Sequence, residues 1–338
     1  MINVGVVGLG HVASHHIAAV EASADFRLVA ACDPNPEALN ALDPEIRAVS
    51  DVERLLALSE VDLVVVASPN KLHVEHGIKV IEAGKWLVME KPVAPTRGEF
   101  DRLSDVLAQS DARCSVALHA AFGVEVDWYC EQKERGALGG SVVSIKSQFY
   151  DPYVTDGELE RRAVSLSGSW MDSGINALSV IHRVLDVEEL ELVDSRMTRV
   201  AAVPCTEVQG TVEYRYRSAG GSGTGWIDTN WTIGRDKKMT SLLSAEPATG
   251  VVLDHSEQCV LLRKGGPAQV LFRCENGRPR LTNHYVGMFR DVASQMAEGR
   301  DNFELCRMMH DHLYAAAEWP SDVPASARNR SARDQKIV

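Results

Sequence analysis

Residues Val4–Ala13 read VGVVGLGHVA, and this stretch decides what kind of domain the chain begins with. A short apolar strand, NVGVVG, runs directly into Gly8-x-Gly10-x-x-Ala13 and then into a helix over roughly His15–Ala22. Gly8 allows the tight turn that leaves the strand. Gly10 lets the backbone approach a pyrophosphate, and Ala13 lets helix and strand pack closely. The helix start offers N–H groups and the positive end of its dipole to phosphates. A second strand, FRLVAACD, ends at Asp33, 25 residues after Gly8. An acidic side chain at that place accepts hydrogen bonds from ribose hydroxyls and repels a 2′-phosphate. Pro34, Asn35 and Pro36 follow, with no arginine to receive that phosphate. The pattern predicts NAD, in preference to NADP, as the dinucleotide.

Strand and helix signals go on alternating from there. Ser50-Asp51-Val52-Glu53 has the spacing of a capping box and opens the helix DVERLLAL. VDLVVVAS has the continuous apolar character of a strand buried on both faces. A helix over Leu72–Ala83 stops at Gly84, KWLVMEKP is another strand, and Thr96-Arg97-Gly98-Glu99 is a second capping box. CSVALH closes the series. This rhythm predicts an α/β fold whose first domain, residues 1–120, is a doubly wound Rossmann domain.

The pattern changes after His119. A helix near Glu125–Arg135 leads to the strand SVVSIKSQFY, an irregular stretch over Asp151–Ser167 and a further helix. Strand-like alternation then runs from Glu189 to about Cys274, with SAGGSGTG (Ser218–Gly225) as a hairpin loop and GVVLDHSEQCVLLRK as one strand. Helices follow at His284–Glu298 and Phe303–Trp319. Residues 121–320 are therefore expected to form an α+β domain with a large, mostly antiparallel sheet. Residues 321–338 are expected to be a polar, mobile tail.

Bulk properties narrow the function classes. With 338 residues the chain suits two domains, and 45% hydrophobic with 24% charged residues is a globular composition. A net charge of −12 argues against nucleic acid or an anionic membrane as partner. The seven cysteines are scattered without a CxxC pair, which suits reduced thiols in a cytoplasm and offers no metal cluster. No basic segment followed by an apolar run opens the chain, and no apolar run reaches about 18 residues. A cytoplasmic location without a membrane span is expected.

Two further motifs lie at carboxyl ends of the first domain's strands, where ligands sit in such sheets. Ser68, Pro69 and Asn70 open SPNKLH, and Glu90-Lys91-Pro92 follows the next strand. Together with the glycine motif they resemble the glucose-fructose oxidoreductase / inositol dehydrogenase family, often called Gfo/Idh/MocA, from Met1 to about Trp319. The resemblance implies that Lys91 lies between nicotinamide and substrate and takes part in catalysis. It implies cofactor contacts from Gly8, Gly10, His11, Val12 and Asp33. Ser68, Pro69, Asn70, His73, Glu90 and Lys91 complete that expected set.

In the same family a helix of the second domain carries a D-x-G-x-H pattern and faces the nicotinamide. MDSGIN fits except at its last position, giving Asp172, Gly174 and then Asn176 in place of histidine. Asp172 and Asn176, four residues apart on a helix, point the same way. An asparagine amide donates and accepts hydrogen bonds but carries no proton near neutral pH, whereas histidine does. The substrate proton must then go to Asp172, to Lys91 or to water. Gly174 would let substrate or cofactor approach the backbone. The plain alternative is that Asp172 caps the helix and Asn176 bonds backbone. The Asp/Asn pair resembles the branch containing L-arabinose and D-galactose 1-dehydrogenases, which oxidise a cyclic sugar at its anomeric carbon. His119 in ALHAAF points the same way. Expected substrate contacts are Lys91, His119, Tyr150, Asp172 and Asn176. Trp170 either stacks on a sugar or belongs to the core, and Asp156, Arg161 and Arg162 would cover the pocket. His182, His310 and His312 have no partner motif, and no metal site is expected.

The resemblance thus implies an NAD-dependent oxidoreductase acting on a cyclic sugar or polyol. The alternatives are a keto-sugar reductase, a cofactor-binding sensor without catalysis, or a hydrolase using tightly held NAD. It also implies a homodimer or homotetramer through the second domain's sheet, with Val212, Tyr214, Tyr216, Trp226 and Trp231 as candidate apolar surface.

Overall fold

The computed structural model describes residues 1–138, 140–200, 207–245 and 249–320. The expected polar tail, 321–338, lies outside the described residues. The chain divides into two compact units, one of Met1–His119 with Leu281–Met308 and one of Ala120–Arg280 with the chain from Met309 onward.

In the first unit β1 (Ile2–Val7), β2 (Phe26–Cys32), β3 (Arg47–Val49), β4 (Leu63–Val66), β5 (Trp86–Met89) and β6 (Cys114–Val116) form a parallel sheet in the order β3-β2-β1-β4-β5-β6. The chain leaves β1 toward β2 and β3, then returns to β1's other side with β4. That reversal opens the crevice at the carboxyl ends of β1 and β4. Helices α1 (Ala13–Glu21), α2 (Pro36–Asn40), α3 (Val52–Leu56), α4 (His73–Glu82) and α5 (Arg97–Ala108) connect the strands. Thr96 caps α5 as its spacing implies, donating its hydroxyl to Glu99 Oε2 at 2.7 Å. At α3 the cap is Asp51 rather than Ser50, and it accepts from Arg54 N at 2.9 Å. An ionised carboxylate accepts more strongly than a hydroxyl. The helix over α4 ends at Ala83, with Gly84 in the left-handed region at φ +66°.

The helix α8 (Arg280–Glu298) and the start of α9 (Phe303–Ala317) pack with this sheet, although chain order places them in the second domain. Tyr285 lies 4.4 Å from the His16 ring, Phe289 lies 5.2 Å from Phe26, and Phe303 stacks on Phe100 at 5.4 Å. Asn302 covers the open edge of β6 by accepting from Val116 N at 2.7 Å and donating to Val116 O at 3.0 Å. A helix's apolar stripe says that one face is buried, not which sheet buries it.

In the second unit α6 (Val124–Glu134) leads to β7 (Val142–Tyr150), the small hairpin β8 (Val154–Thr155) and β9 (Glu158–Leu159), and one π-helical turn (Trp170–Gly174) that runs into α7 (Ile175–Leu185). Strands β10 (Val187–Thr198), β11 (Gln209–Ser218), β12 (Gly221–Asn230), β13 (Lys237–Ser244), β14 (Thr249–Asp254), β15 (Cys259–Arg263) and β16 (Gln269–Arg273) complete an eight-stranded sheet in the order β10-β11-β12-β7-β13-β14-β15-β16. Only β12 and β7 pair in parallel. Two local expectations change. The glycine-rich stretch is mostly strand, since β11 ends at Ser218 and β12 begins at Gly221. Gly223 sits within it because a Cβ there would come within 2.5 Å of Tyr216 Oη. The long strand from Gly250 folds into the β14–β15 hairpin, with Gln258 at φ 50° in its turn.

The sheet's aromatics also differ from expectation. Val212, Tyr214, Tyr216 and Trp231 are buried within the chain, and only Trp226 of the five is partly open. Trp231, just past β12, packs with Val154, Ala163 and Val208, while Val212, Tyr214 and Tyr216 line the face covered by helices, because period-two alternation places every second residue there. On that side α7 is buried along almost its whole length.

His182 of α7 and His312 of α9 share this interior. Burial pushes both imidazoles down to about 4, with His312 adding to the effect on His182. The folded protein keeps them neutral, while the unfolded chain protonates them near pH 6.5. Their contribution is complete above that pH and is lost as pH falls from about 6.5 to about 4, by at most about 3 kcal/mol each. Denaturant unfolding at pH 7 and pH 5 should show the loss, and His312→Phe should flatten it. An equally steep loss in that variant would count against the assignment.

Candidate active site

The first unit supplies a cradle at the strands' carboxyl ends. Gly8 has φ +90°, and a Cβ there would lie 2.8 Å from Ser68 Cα and Ala67 O, so only glycine lets β1 and β4 end side by side. A Cβ at Gly10 would meet nothing within 4 Å. The protein itself therefore does not require that glycine, whereas a phosphate lying on the turn would. His11 is exposed, and Val12 begins α1 without a side-chain cap. Asp33 Oδ2 accepts from Leu9 N at 2.7 Å and Oδ1 from Asn35 N at 2.8 Å. A carboxylate has about four acceptor positions, so two remain for ribose hydroxyls. Asn70, next to Pro69, keeps its Nδ2 buried without a hydrogen-bond partner among the described residues. Ser68 Oγ is bonded to His76 Nδ1 at 2.9 Å. An open turn, an acidic ribose site and an unsatisfied buried donor together fit a bound dinucleotide.

Two residues expected to touch the cofactor have another task. His73 is 1% exposed, and its ring nitrogens lie 2.8 Å from Pro92 O and 2.8 Å from Ser68 O. It braces the loops on either side of the crevice, and burial holds its pKa below the usual value against the pull of those carbonyls. Glu90 is buried as well. Its Oε1 meets His16 Nε2 at 2.7 Å and accepts from the Tyr285 hydroxyl at 2.5 Å, while Oε2 accepts from Lys91 N at 3.0 Å. Burial works against the charged form, but His16 and Lys91 outweigh it and keep the carboxyl below its ordinary pKa. Lys91 is thus carried on a fixed loop, joined to Pro92 by a cis peptide. His119 lies against Tyr285 at 4.9 Å, with Nδ1 3.3 Å from His284 Nδ1. His16 was not expected at the site. His16 could have been found, since it lies one helical turn from the inward-facing Ala13.

The second unit carries Asp172 and Asn176. Asp172 lies on the π-helical turn and Asn176 on the first turn of α7, and each is 7% exposed. No side chain caps either segment, so Asp172 is not a helix cap. Asn176 Nδ2 donates to Asp172 O at 3.3 Å, while Asn176 Oδ1 is buried without a partner among the described residues. A Cβ at Gly174 would lie 2.7 Å from the Trp170 indole, so the glycine makes room for that ring. Trp170 is fully buried, and its Nε1 donates to Leu313 O at 3.0 Å, which makes it core. Tyr150 is held within the second unit's sheet. Its hydroxyl donates to Asp228 Oδ2 at 2.7 Å and accepts from Gln148 at 2.6 Å, on the strand face opposite Phe149 and α7. Asp151, the next residue, turns toward the helix instead. Its Oδ2 accepts from Ser173 Oγ at 3.0 Å, and its Oδ1 pairs with Lys238 Nζ at 2.6 Å. Lys238 carried a signal in the sequence, because it stands in register with inward-facing Thr240 and Leu242 on β13, where a charge needs a partner. Asp156 and Arg161 are exposed. Among the described residues no group of histidine, cysteine and carboxylate side chains is placed to hold a metal ion. No described helix is long and apolar enough to cross a membrane.

Fold and cradle define a class of domain, the dinucleotide-binding Rossmann domain. Residues 2–118 match the family model described as the GFO_IDH_MocA oxidoreductase family with an NAD-binding Rossmann fold. It is 27% identical over 199 residues to D-glucoside 3-dehydrogenase of Escherichia coli, a match covering 57% of either chain. Levoglucosan dehydrogenase of Pseudarthrobacter phenanthrenivorans is 26% identical over 166 residues, 46% of this chain and 42% of that one. The chain thus matches about half the length of these curated relatives. The solved structure of a levoglucosan dehydrogenase in complex with NADH and L-sorbose superposes with a TM-score of 0.75 at 17% identity, covering 94% of this chain and 97% of that one. At that identity the likeness establishes the fold of both units.

Proposed function

We propose that the protein is an NAD-dependent dehydrogenase of a cyclic sugar or related polyol. The observation that carries this reading is the buried Asp172–Asn176 pair, whose amide oxygen has no partner among the described residues. A buried acceptor left unsatisfied is costly, and a substrate hydroxyl would satisfy it. Relatives named for glucoside and levoglucosan oxidation support the substrate class. Bound NAD supplies the hydride acceptor. Asp172 takes the proton of the reacting hydroxyl, Lys91 donates a hydrogen bond to the oxygen as negative charge develops there, and Asn176 orients the sugar. Run in reverse, the same groups serve a keto-sugar reductase. A sensor without catalysis draws only on the replacement of the family histidine by Asn176, and retention of Lys91 and Asp172 speaks against it.

Three tests follow from this reading. With NAD and a panel of aldoses and polyols, Asp172→Asn and Lys91→Met should each slow single-turnover hydride transfer by about 100- to 10,000-fold, with NAD affinity nearly unchanged. Asn176→Ala should weaken sugar binding more than the chemical step. Hydride transfer at the wild-type rate in Asp172→Asn would remove Asp172 from the mechanism. For the cofactor, Asp33 and the missing arginine support NAD over NADP. Titration of both should show that order, and Asp33→Ser with Pro34→Arg should move it toward NADP; tighter NADP binding by the natural protein would defeat the ribose argument. The assembly is read as a homodimer or homotetramer through the sheet of the second unit. Its support is the family, since most of the aromatics once considered for that surface are interior. Light scattering at micromolar concentration should give a multiple of the chain mass, and a monomer would end the idea.

A further inference from the structure

Behind Asp172 lies a hydrogen-bonded series that gives Ser173 a task of its own. Ser173 is 1% exposed and stands between two carboxylates, its Oγ 3.0 Å from Asp151 Oδ2 and 3.4 Å from Asp172 Oδ2. A hydroxyl has one hydrogen to give. Asp151 is the nearer acceptor, and it is fixed in place, because its other oxygen is held by Lys238 Nζ at 2.6 Å. Lys238 in turn donates to Asp236 Oδ2 at 3.0 Å and to Tyr150 O at 3.4 Å. Asp236 is anchored by Arg280 Nη2 at 3.1 Å and accepts from the Ser256 hydroxyl at 2.9 Å. The series therefore directs the Ser173 hydrogen to Asp151 and leaves an oxygen lone pair facing Asp172. A carboxylate gains nothing from a lone pair. A carboxylic acid does, because its O–H then has an acceptor.

We propose that Ser173, oriented by Asp151 and Lys238, is a positioning residue that receives the proton-bearing form of Asp172 during the reaction. The proposal rests on the reading of Asp172 as the base. In the oxidation the substrate carbon gives up its C–H electron pair as hydride to the nicotinamide, and the substrate O–H gives its proton to Asp172 as the C=O bond forms. The new Asp172 O–H then donates to Ser173 Oγ, whose own hydrogen stays on Asp151. Ser173, Asp151 and Lys238 touch no reacting atom in this account. They act through Asp172.

The experiment compares Ser173→Ala, Asp151→Asn and Asp172→Asn with the natural protein, using NAD and a sugar that it oxidises. Single-turnover hydride transfer is followed in H2O and D2O, with NAD affinity and thermal unfolding measured alongside. Ser173→Ala should be slower by about ten-fold, the scale of one hydrogen bond, with NAD affinity within about two-fold of wild type. Asp151→Asn should slow transfer at least as much, because its amide can donate to Oγ and turn the serine hydrogen toward Asp172. Both should show a larger solvent isotope effect, which a packing role would not produce. The proposal is overturned if Ser173→Ala keeps the wild-type rate and isotope effect while Asp172→Asn is impaired. If Asp172→Asn itself transfers at the wild-type rate, Asp172 is not the base and the proposal falls with that reading. Should Asp151→Asn fail to fold, Ser173→Ala, which removes a single oxygen, still decides.

Discussion

Glu90 is a carboxylate almost out of reach of water, and the first unit is organised around keeping it there. An ionised group in such a place costs several kcal/mol unless charges or donors replace its hydration. Three groups do so here. His16 comes from α1, directly after the glycine turn. Lys91 N comes from the loop that follows β5. Tyr285 comes from α8, close to 200 residues further along the chain. One buried charge thus ties the turn expected to hold phosphates to the loop that carries the expected catalytic lysine. It also explains why α8 belongs to this unit and not to the sheet that precedes it in sequence. Loss of any one donor would leave the carboxylate short of partners, so the three elements are bound to a common geometry.

Much of this was legible in the sequence, and the reasons are physical. The strand–turn–helix of Val4–Ala13, the acidic end of β2 and the apolar β4 are local patterns, and local patterns are what single-sequence periodicity reports. The capping residue Thr96 was legible for the same reason. Asp51 displaced Ser50 because two adjacent residues could each cap, and only the competition between their acceptors decides. The short α2 and β3 escaped notice, since five and three residues are too few to show a period.

The candidate site divides along the same line. Lys91, Asp172 and Asn176 stood out because they sit in motifs. The residues that hold them did not, because their partners are distant in sequence. Glu90 and His73 belong to the same motifs as the expected cofactor contacts, yet their side chains point into the protein. A motif records which residues recur together and is silent about which of them face the ligand. Gly174 makes the same point: its small size is required by Trp170 in the core. Tyr150 and Asp151 show the limit at its finest, since adjacent strand residues face opposite sides and a one-residue shift decides which carries chemistry.

Asn176 is where the departure from the family pattern gains a structural meaning. Its amide nitrogen is committed to the backbone carbonyl of Asp172, and that bond fixes which end of the amide looks outward. The acceptor, Oδ1, is buried and has no partner among the described residues. A histidine would offer either a donor or an acceptor according to its protonation. The asparagine presents its Oδ1 acceptor whatever the pH, because an amide does not titrate. A hydroxyl that binds there must donate its hydrogen to Asn176 and so keeps its lone pairs for other donors. The hydroxyl that reacts must instead release its hydrogen to a base. In the proposed reading Asn176 therefore suits a non-reacting hydroxyl of the sugar, and the proton chemistry falls to Asp172.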